Sequence, residues 1–362
     1  MSKRVLVLSA KVGSGHLVAA NALEQELAQR EGITYANIDA LEMTNDMFRT
    51  LANDLYMYLV KHTPHFVGWN YDRDDVPFSN EEIVRRAWTM MNAQQLVSYL
   101  KEFDPDITIC THFLPAQVVA QLLAQGDLHT TLSVVTTDYD FQGLWLPKMF
   151  TRFFVALEET RVQMIALGFD PERITVSGIP IDPTFAQPVN RAAVLAGYEI
   201  DPDRPLLLIS AGAIGGGPTR DLVAQALHLE AALQIVVICG RNRKLRREVE
   251  ALTFEQRERF RVLGFTRDMV NLVRCATLFV GKPGGLTTAE CMAAVRPSSL
   301  AHRRPARKNA IAIICWNMAL PFGAMMPRPL PLRSTSCSTS PNACNACNRQ
   351  PASWADRMPH GW

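Results

Sequence analysis

At 362 residues, the chain exceeds the size at which one hydrophobic core keeps growing, so two α/β domains of roughly 150 residues each are expected. The net charge of +2 hides an asymmetry: residues 296–362 hold nine Lys and Arg against the single acid Asp356, leaving 28 basic and 34 acidic residues elsewhere, a balance that excludes a nucleic-acid footprint there. The eight cysteines form no repeated framework; the first four sit in apolar stretches where free Cys is ordinary core filler, which points to a reducing cytosol.

Along the chain, residues 4–9 read as a buried strand rather than a signal peptide. A glycine-containing loop follows over 11–16, then a helix over 17–30 with Leu17, Ala20, Leu23 and Leu27 at helical spacing. Strand-like runs at 107–110, 132–136 and 153–156, each followed by a helical or loop segment, give the alternation of a doubly wound parallel sheet. Residues 41–88, rich in Tyr, Trp, Phe, Met and His, break that alternation and are expected to form helices and a loop outside the sheet. Nothing before Val295 approaches a membrane-spanning length.

Pro180, Pro183, Pro188, Pro202 and Pro205 mark a linker and a fresh start. The strand 206–210 runs into the glycine loop Gly212 to Gly217. Helix 219–233, strand 235–239, helix 244–252, strand 261–263 and strand 278–280 continue the same βα alternation. The expected organisation is α/β with two Rossmann-like domains facing a cleft: 1–180, a linker over 181–205, and 206–297, with the C-terminal part incomplete.

Three constellations carry chemistry. Gly13-Ser14-Gly15-His16 follows a strand and opens a helix, where backbone N–H groups and the positive dipole end favour negative charge. A lone histidine is usually structural, but one at a strand end beside glycines is a better candidate for a general base. Gly212 to Gly217 repeats the strand-then-glycine logic, with a plain flexible turn as its competing reading. Lys282-Pro283-Gly284-Gly285-Leu286-Thr287-Thr288-Ala289-Glu290 is the sharpest signal: phosphate oxygens would meet the N–H groups and hydroxyls of the first turn, while Glu290 could accept from a ribose hydroxyl. A well-capped helix is the bland alternative. Thr111-His112 and Asp138 to Trp145 add polar groups and aromatics at the carboxyl edge of the first sheet, where ligands collect; an ordinary loop with packed aromatics competes.

Together these residues resemble glycosyltransferase family 28, within it the branch of monogalactosyldiacylglycerol synthases and processive diacylglycerol glycosyltransferases. The resemblance spans roughly residues 3–295 and rests on Gly13 to His16 with Ala19-Ala20, Thr111-His112, Thr137-Asp138 through Trp145, Ser177 to Asp182, Gly264 to Thr266 and Lys282 to Glu290. It implies the GT-B architecture, with an acceptor-binding first domain and a nucleotide-sugar-binding second domain. A UDP-sugar would donate a hexose to a membrane lipid such as diacylglycerol at the cytoplasmic face, with peripheral contact to an anionic membrane and the 41–88 insertion facing it. His16 would be the base, with Gly15, His112 and Asp138 on the acceptor side. Gly212, Gly264, Phe265, Thr266, Gly284, Gly285, Thr287 and Glu290 would hold the nucleotide sugar. No metal or cofactor is implied, because helix N-termini can neutralise the leaving diphosphate. The competing enzyme class is a peptidoglycan-type N-acetylglucosaminyltransferase acting on a polyprenyl-linked acceptor; a third reading is an inactive truncated remnant.

The family continues after the glutamate with a Pro-Gly-Gln-Glu-Glu-Arg-Asn stretch that contacts the donor sugar. Here residues 298–362 contain no Glu and are crowded with Pro, Arg, Cys and Ser. Codons exist for residues 306–327 that, read from each third base, restore Gly-Gln-Glu-Glu-Arg-Asn and the residues beyond it in order. One missing base near Pro297 produces this, so 298–362 reads as an out-of-frame tail, disordered or poorly folded. On that reading Cys344-Asn-Ala-Cys347 is no zinc site, since no second pair completes it.

Overall fold

A computed structural model describes residues 2–11, 15–45, 92–139, 149–230, 232–282, 284–294 and the backbone of 312–315. The aromatic insertion from residue 46 onward, Gly13 and Ser14, residues 140–148 and Pro283 lie outside the described residues. The chain divides into two compact units, 1–319 and 320–362, and every described residue belongs to the first.

That unit contains two parallel sheets. The first is built from β1 (Lys3–Ser9), β2 (Ile33–Asp39), β3 (Ile107–Cys110), β4 (Thr131–Val135), β5 (Arg152–Val155) and β6 (Ile174–Val176), in the order β2-β1-β3-β4-β5-β6. Helices α1 (Gly15–Ala28), α2 (Gln94–Phe103), α3 (Phe113–Gln125) and α4 (Glu158–Ala166) intervene. The second sheet contains β7 (Leu206–Ser210), β8 (Gln234–Ile238), β9 (Phe260–Leu263), β10 (Leu278–Gly281) and β11 (Ala312–Cys315), in the order β11-β10-β7-β8-β9. With it run α5 (Arg191–Ala196), α6 (Thr219–Ala226), α7 (Arg243–Leu252), α8 (Met269–Cys275) and α9 (Gly285–Ala294). The expected pair of Rossmann-like halves is thus the observed fold.

Continuous apolar runs explain the buried strands. Parallel strands are covered on both faces, so adjacent residues must both be apolar. In the second sheet Leu206, Leu208, Val236 and Ile238 enter one core with Phe279 and Cys291, while Leu207, Ile209, Ile235 and Val237 enter another with Val223 and Val249. In the first, Leu6, Leu8, Leu132, Val134 and Phe153 pack with Val119 and Leu122 of α3. The four described cysteines, Cys110, Cys239, Cys275 and Cys291, are buried.

The structure departs from the sequence reading at several elements. β2 and β6 escape it because both are short or half-exposed edge strands without an apolar run. α1 begins at Gly15, so His16 lies in its first turn rather than in the preceding loop. α6 ends at Ala226, seven residues before the expected stop. Residues 312–315, which the sequence reading sets outside the fold, pair in parallel with β10 in the register Leu278↔Ala312 to Gly281↔Cys315; an Ile-Ile run suits the free edge that β10 would otherwise expose.

Candidate functional site

In each sheet the strand order reverses once, and the loops on either side of that reversal open a crevice. In the first sheet the crevice lies between β1 and β3, and in the second between β7 and β10. Gly15 and His16 at the start of α1 and Thr111-His112 therefore flank one crevice. Gly212–Gly217 and Gly284-Gly285 flank the other. The carboxyl ends of the two sheets face each other, because the N-terminus of α1 approaches that of α9: a Cβ built on Gly15 would stand 3.7 Å from Leu286 Cδ2.

His16 sits at this meeting point. Its Nδ1 lies 2.8 Å from the Thr111 carbonyl oxygen and 2.9 Å from Thr137 Oγ1. A carbonyl can only accept, so Nδ1–H donates to Thr111 and shares its proton with the Thr137 hydroxyl. The tautomer follows: Nε2 carries the lone pair. Thr111 Oγ1 donates back to the His16 carbonyl at 3.0 Å, tying the first turn of α1 to the end of β3. Burial holds the imidazole pKa below its ordinary value, partly opposed by the bond to Thr111, so the ring is neutral at pH 7 with its lone pair on Nε2.

The sequence reading sets His112 on the acceptor side; the structure buries it, at 3% exposure. Its Nδ1 caps α3 by accepting from the Leu114 N–H at 3.1 Å, and its ring stands edge to face on His16 at 4.5 Å. Burial first, and His16 second, hold its pKa well below the usual histidine value, so it supports His16 as a neutral wall. Asp138 is exposed at the rim beside Thr137.

On the donor side the glycines do two different things. Gly212 and Gly215 have φ of +74° and +81°, and a Cβ on Gly215 would overlap the Cys239 carbonyl oxygen and the Asn242 side chain. The Asn242 amide donates to the Gly215 carbonyl at 2.8 Å and its Oδ1 accepts from Leu245 N–H, capping α7. The β7 loop is therefore locked on the β8 loop, not a flexible turn. Gly284 faces open space. Gly285, expected to line a diphosphate, is buried in the contact between the halves: a Cβ there would overlap the Thr137 carbonyl oxygen and crowd Asp138 Cα. Thr287, one turn into α9 with Thr288, is half-buried.

Glu290 lies half-buried on α9, and its pKa is raised to about 7, by burial first and by Asp182 second. Asp182 caps the short 3-10 turn Pro183–Ala186 through the Thr184 N–H, so the linker presents an acid to the donor helix, a neighbour the sequence reading did not assign. Gly264 sits below Arg246, Phe265 is 49% exposed under the Arg241 guanidinium at 4.5 Å, and the Thr266 hydroxyl accepts from Asp268 N–H. These three residues form one rim after β9.

Comparison with known proteins agrees with the resemblance read from the sequence. Residues 16–181 match the family described as monogalactosyldiacylglycerol (MGDG) synthase. The chain is 27% identical over 311 residues to the processive diacylglycerol beta-glucosyltransferase of Staphylococcus aureus strain Newman, covering 85% of this chain and 77% of that protein; the protein of strain USA300 gives the same figures. Among solved structures, Acinetobacter baumannii MurG superposes with TM-score 0.49 at 17% identity, over 80% of this chain and 74% of that one. A glycosyltransferase from Rickettsia africae gives 0.49 at 13%, over 82% and 78%.

Proposed function

We propose that this chain, of the monogalactosyldiacylglycerol synthase and diacylglycerol glycosyltransferase branch of glycosyltransferase family 28, transfers a hexose from a UDP-sugar to a membrane lipid such as diacylglycerol. The observation that carries the reading is the neutral His16, its Nε2 left basic by the Thr111 carbonyl, set opposite the N-terminus of α9. His16 Nε2 takes the acceptor hydroxyl proton as that oxygen bonds to the anomeric carbon, and the bond from that carbon to the diphosphate oxygen breaks. Direct displacement of this kind inverts the anomeric centre. The first-turn N–H groups of α9 lack intrahelical acceptors and take up the charge on the departing UDP.

On this reading the rim of Gly264, Phe265 and Thr266 receives the base, Gly284 and Thr287 the diphosphate, and Glu290 the ribose hydroxyls. Gly212 sits beside the phosphates. The acceptor enters past Asp138, from an anionic membrane surface at the cytoplasmic side. No described helix is long and apolar enough to cross a membrane, and the acceptor half would attach peripherally.

The test is transfer of radiolabel from UDP-glucose, UDP-galactose and UDP-N-acetylglucosamine into extracted lipid, with product identified by chromatography. Label in diacylglycerol supports the proposal. Label in a polyprenyl-linked acceptor overturns it in favour of a peptidoglycan-type enzyme. UDP binding with no transfer marks the chain as an inactive remnant, in keeping with the missing donor-sugar stretch after residue 297.

A further inference from the structure

We propose that Thr137 is a positioning residue that joins the base to the donor helix: its hydroxyl holds the His16 ring, and its backbone carbonyl is the surface on which the N-terminus of α9 rests. The inference depends on His16 being the base. Thr137 follows β4 and is buried, with Oγ1 2.9 Å from His16 Nδ1. The same residue's carbonyl faces Gly285 so closely that no side chain fits between them.

Flanking contacts confine this junction. Ala156, Ile179 and Leu286 form a small buried cluster, with Val18, Tyr139, Ile181 and Ala289 packed against it. The cluster thus draws on α1, the rim after β4, the end of β5, the linker and α9. A displacement of α9 against the first half must move the Thr137 carbonyl or open the cluster, and that carbonyl and the Oγ1 that meets His16 hang from the same Cα. Glycine at 285 is required by that approach. Docking of the donor half and orientation of the base therefore meet at one residue, and His112, a titratable group that faces the His16 ring, backs the ring from the α3 side.

The experiment uses the full chain labelled with nitrogen-15 histidine. Long-range proton–nitrogen spectra report tautomer and pKa, and the His16 signals are identified by their loss in His16→Gln. In the parent His16 is expected as the Nδ1–H tautomer. Thr137→Val removes an acceptor that stabilises the imidazolium, so the His16 pKa should fall by about half a unit or more, and Thr137→Ser should restore it. Gly285→Ala should shift the His16 nitrogen signals, whereas its neighbour Gly284→Ala, whose Cβ enters open space, should not. An unchanged His16 pKa in Thr137→Val, or equal effects at 284 and 285, overturns the proposal. If Thr137→Val fails to fold, the glycine pair decides alone. None of these readouts needs transfer to occur: a chain without transfer sinks the proposed function and not this link, and an active chain with an unmoved His16 sinks only this link.

Discussion

His16 and Glu290 are opposite cases of burial acting on charge. For His16 burial favours the neutral base, so in the frame-restored chain activity should persist below pH 6.5, the ordinary histidine value, and fall only once the lowered pKa is passed. A kcat/KM profile whose acid limb lies above that value would contradict the assignment. His16→Ala should lower turnover by roughly 100-fold or more while leaving UDP affinity near normal, as expected for a general base. Glu290, raised to about 7, is protonated in the fold at pH values where the unfolded chain is already ionised. The fold binds the extra proton between about 4.5 and 7, so this residue's contribution is full below that window and is lost as pH rises through it. Glu290→Gln should flatten that slope and, above pH 7, raise stability by on the order of 1 kcal/mol, a figure reduced for partial solvent screening; urea midpoints across the window measure it. Asp182→Asn should lower the Glu290 pKa and, because ribose hydroxyls donate to the ionised carboxylate, strengthen UDP binding near pH 6.5, read by calorimetry. Among these residues His16 and Glu290 stand out in the sequence through local context. Asp182 does not, because its effect exists only where the linker folds back on α9.

Elements were readable to the extent that burial writes itself into composition. β1, β3, β4, β7, β8 and β10 are apolar enough to be recognised, being covered on both faces. β2 carries Thr34, Asn37 and Asp39 along a half-exposed sheet edge, where nothing requires an apolar run. The loop glycines show the same limit. Gly212 to Gly217 was open to a flexible-turn reading, yet Gly215 is held at φ +81° against the Cys239 carbonyl, a partner 24 positions away. Gly215→Ala should therefore destabilise the second half by about 2 kcal/mol or more, through strain and overlap, whereas Gly216→Ala, with nothing within 4 Å and an ordinary φ, should change stability little; denaturant midpoints distinguish them. Phe153, fully buried among Leu132, Val134 and Phe150, should cost about 3–5 kcal/mol on truncation to alanine.

For the molecule as a whole, the composition of residues 298–362 has the larger consequence. The donor-sugar stretch of the family this chain resembles is absent in frame from residues 298–362, so if the chain as given gives no transfer, restoring a base near Pro297 should produce one that transfers. Resequencing the DNA for residues 292–308, with the intact mass of the product, tests the premise directly. A mass matching 40.4 kDa from DNA that reads as given would mean that the donor-sugar contacts are lost from the protein itself. Residues 312–315 pair on β10, an apolar run on what would otherwise be an open sheet edge.

By itself the sequence determined the two βα halves, the two glycine-bearing loops and the candidate base, because these depend on local periodicity and on residue types that permit close backbone approach. Only the tertiary structure decided what those residues face. It buried His112 against the His16 ring, set Asp182 against Glu290, and used Gly285 to seat α9 on Thr137. Each of these relations joins segments far apart in the chain, and their electrostatics and packing arise only when the sheets' carboxyl ends are brought together.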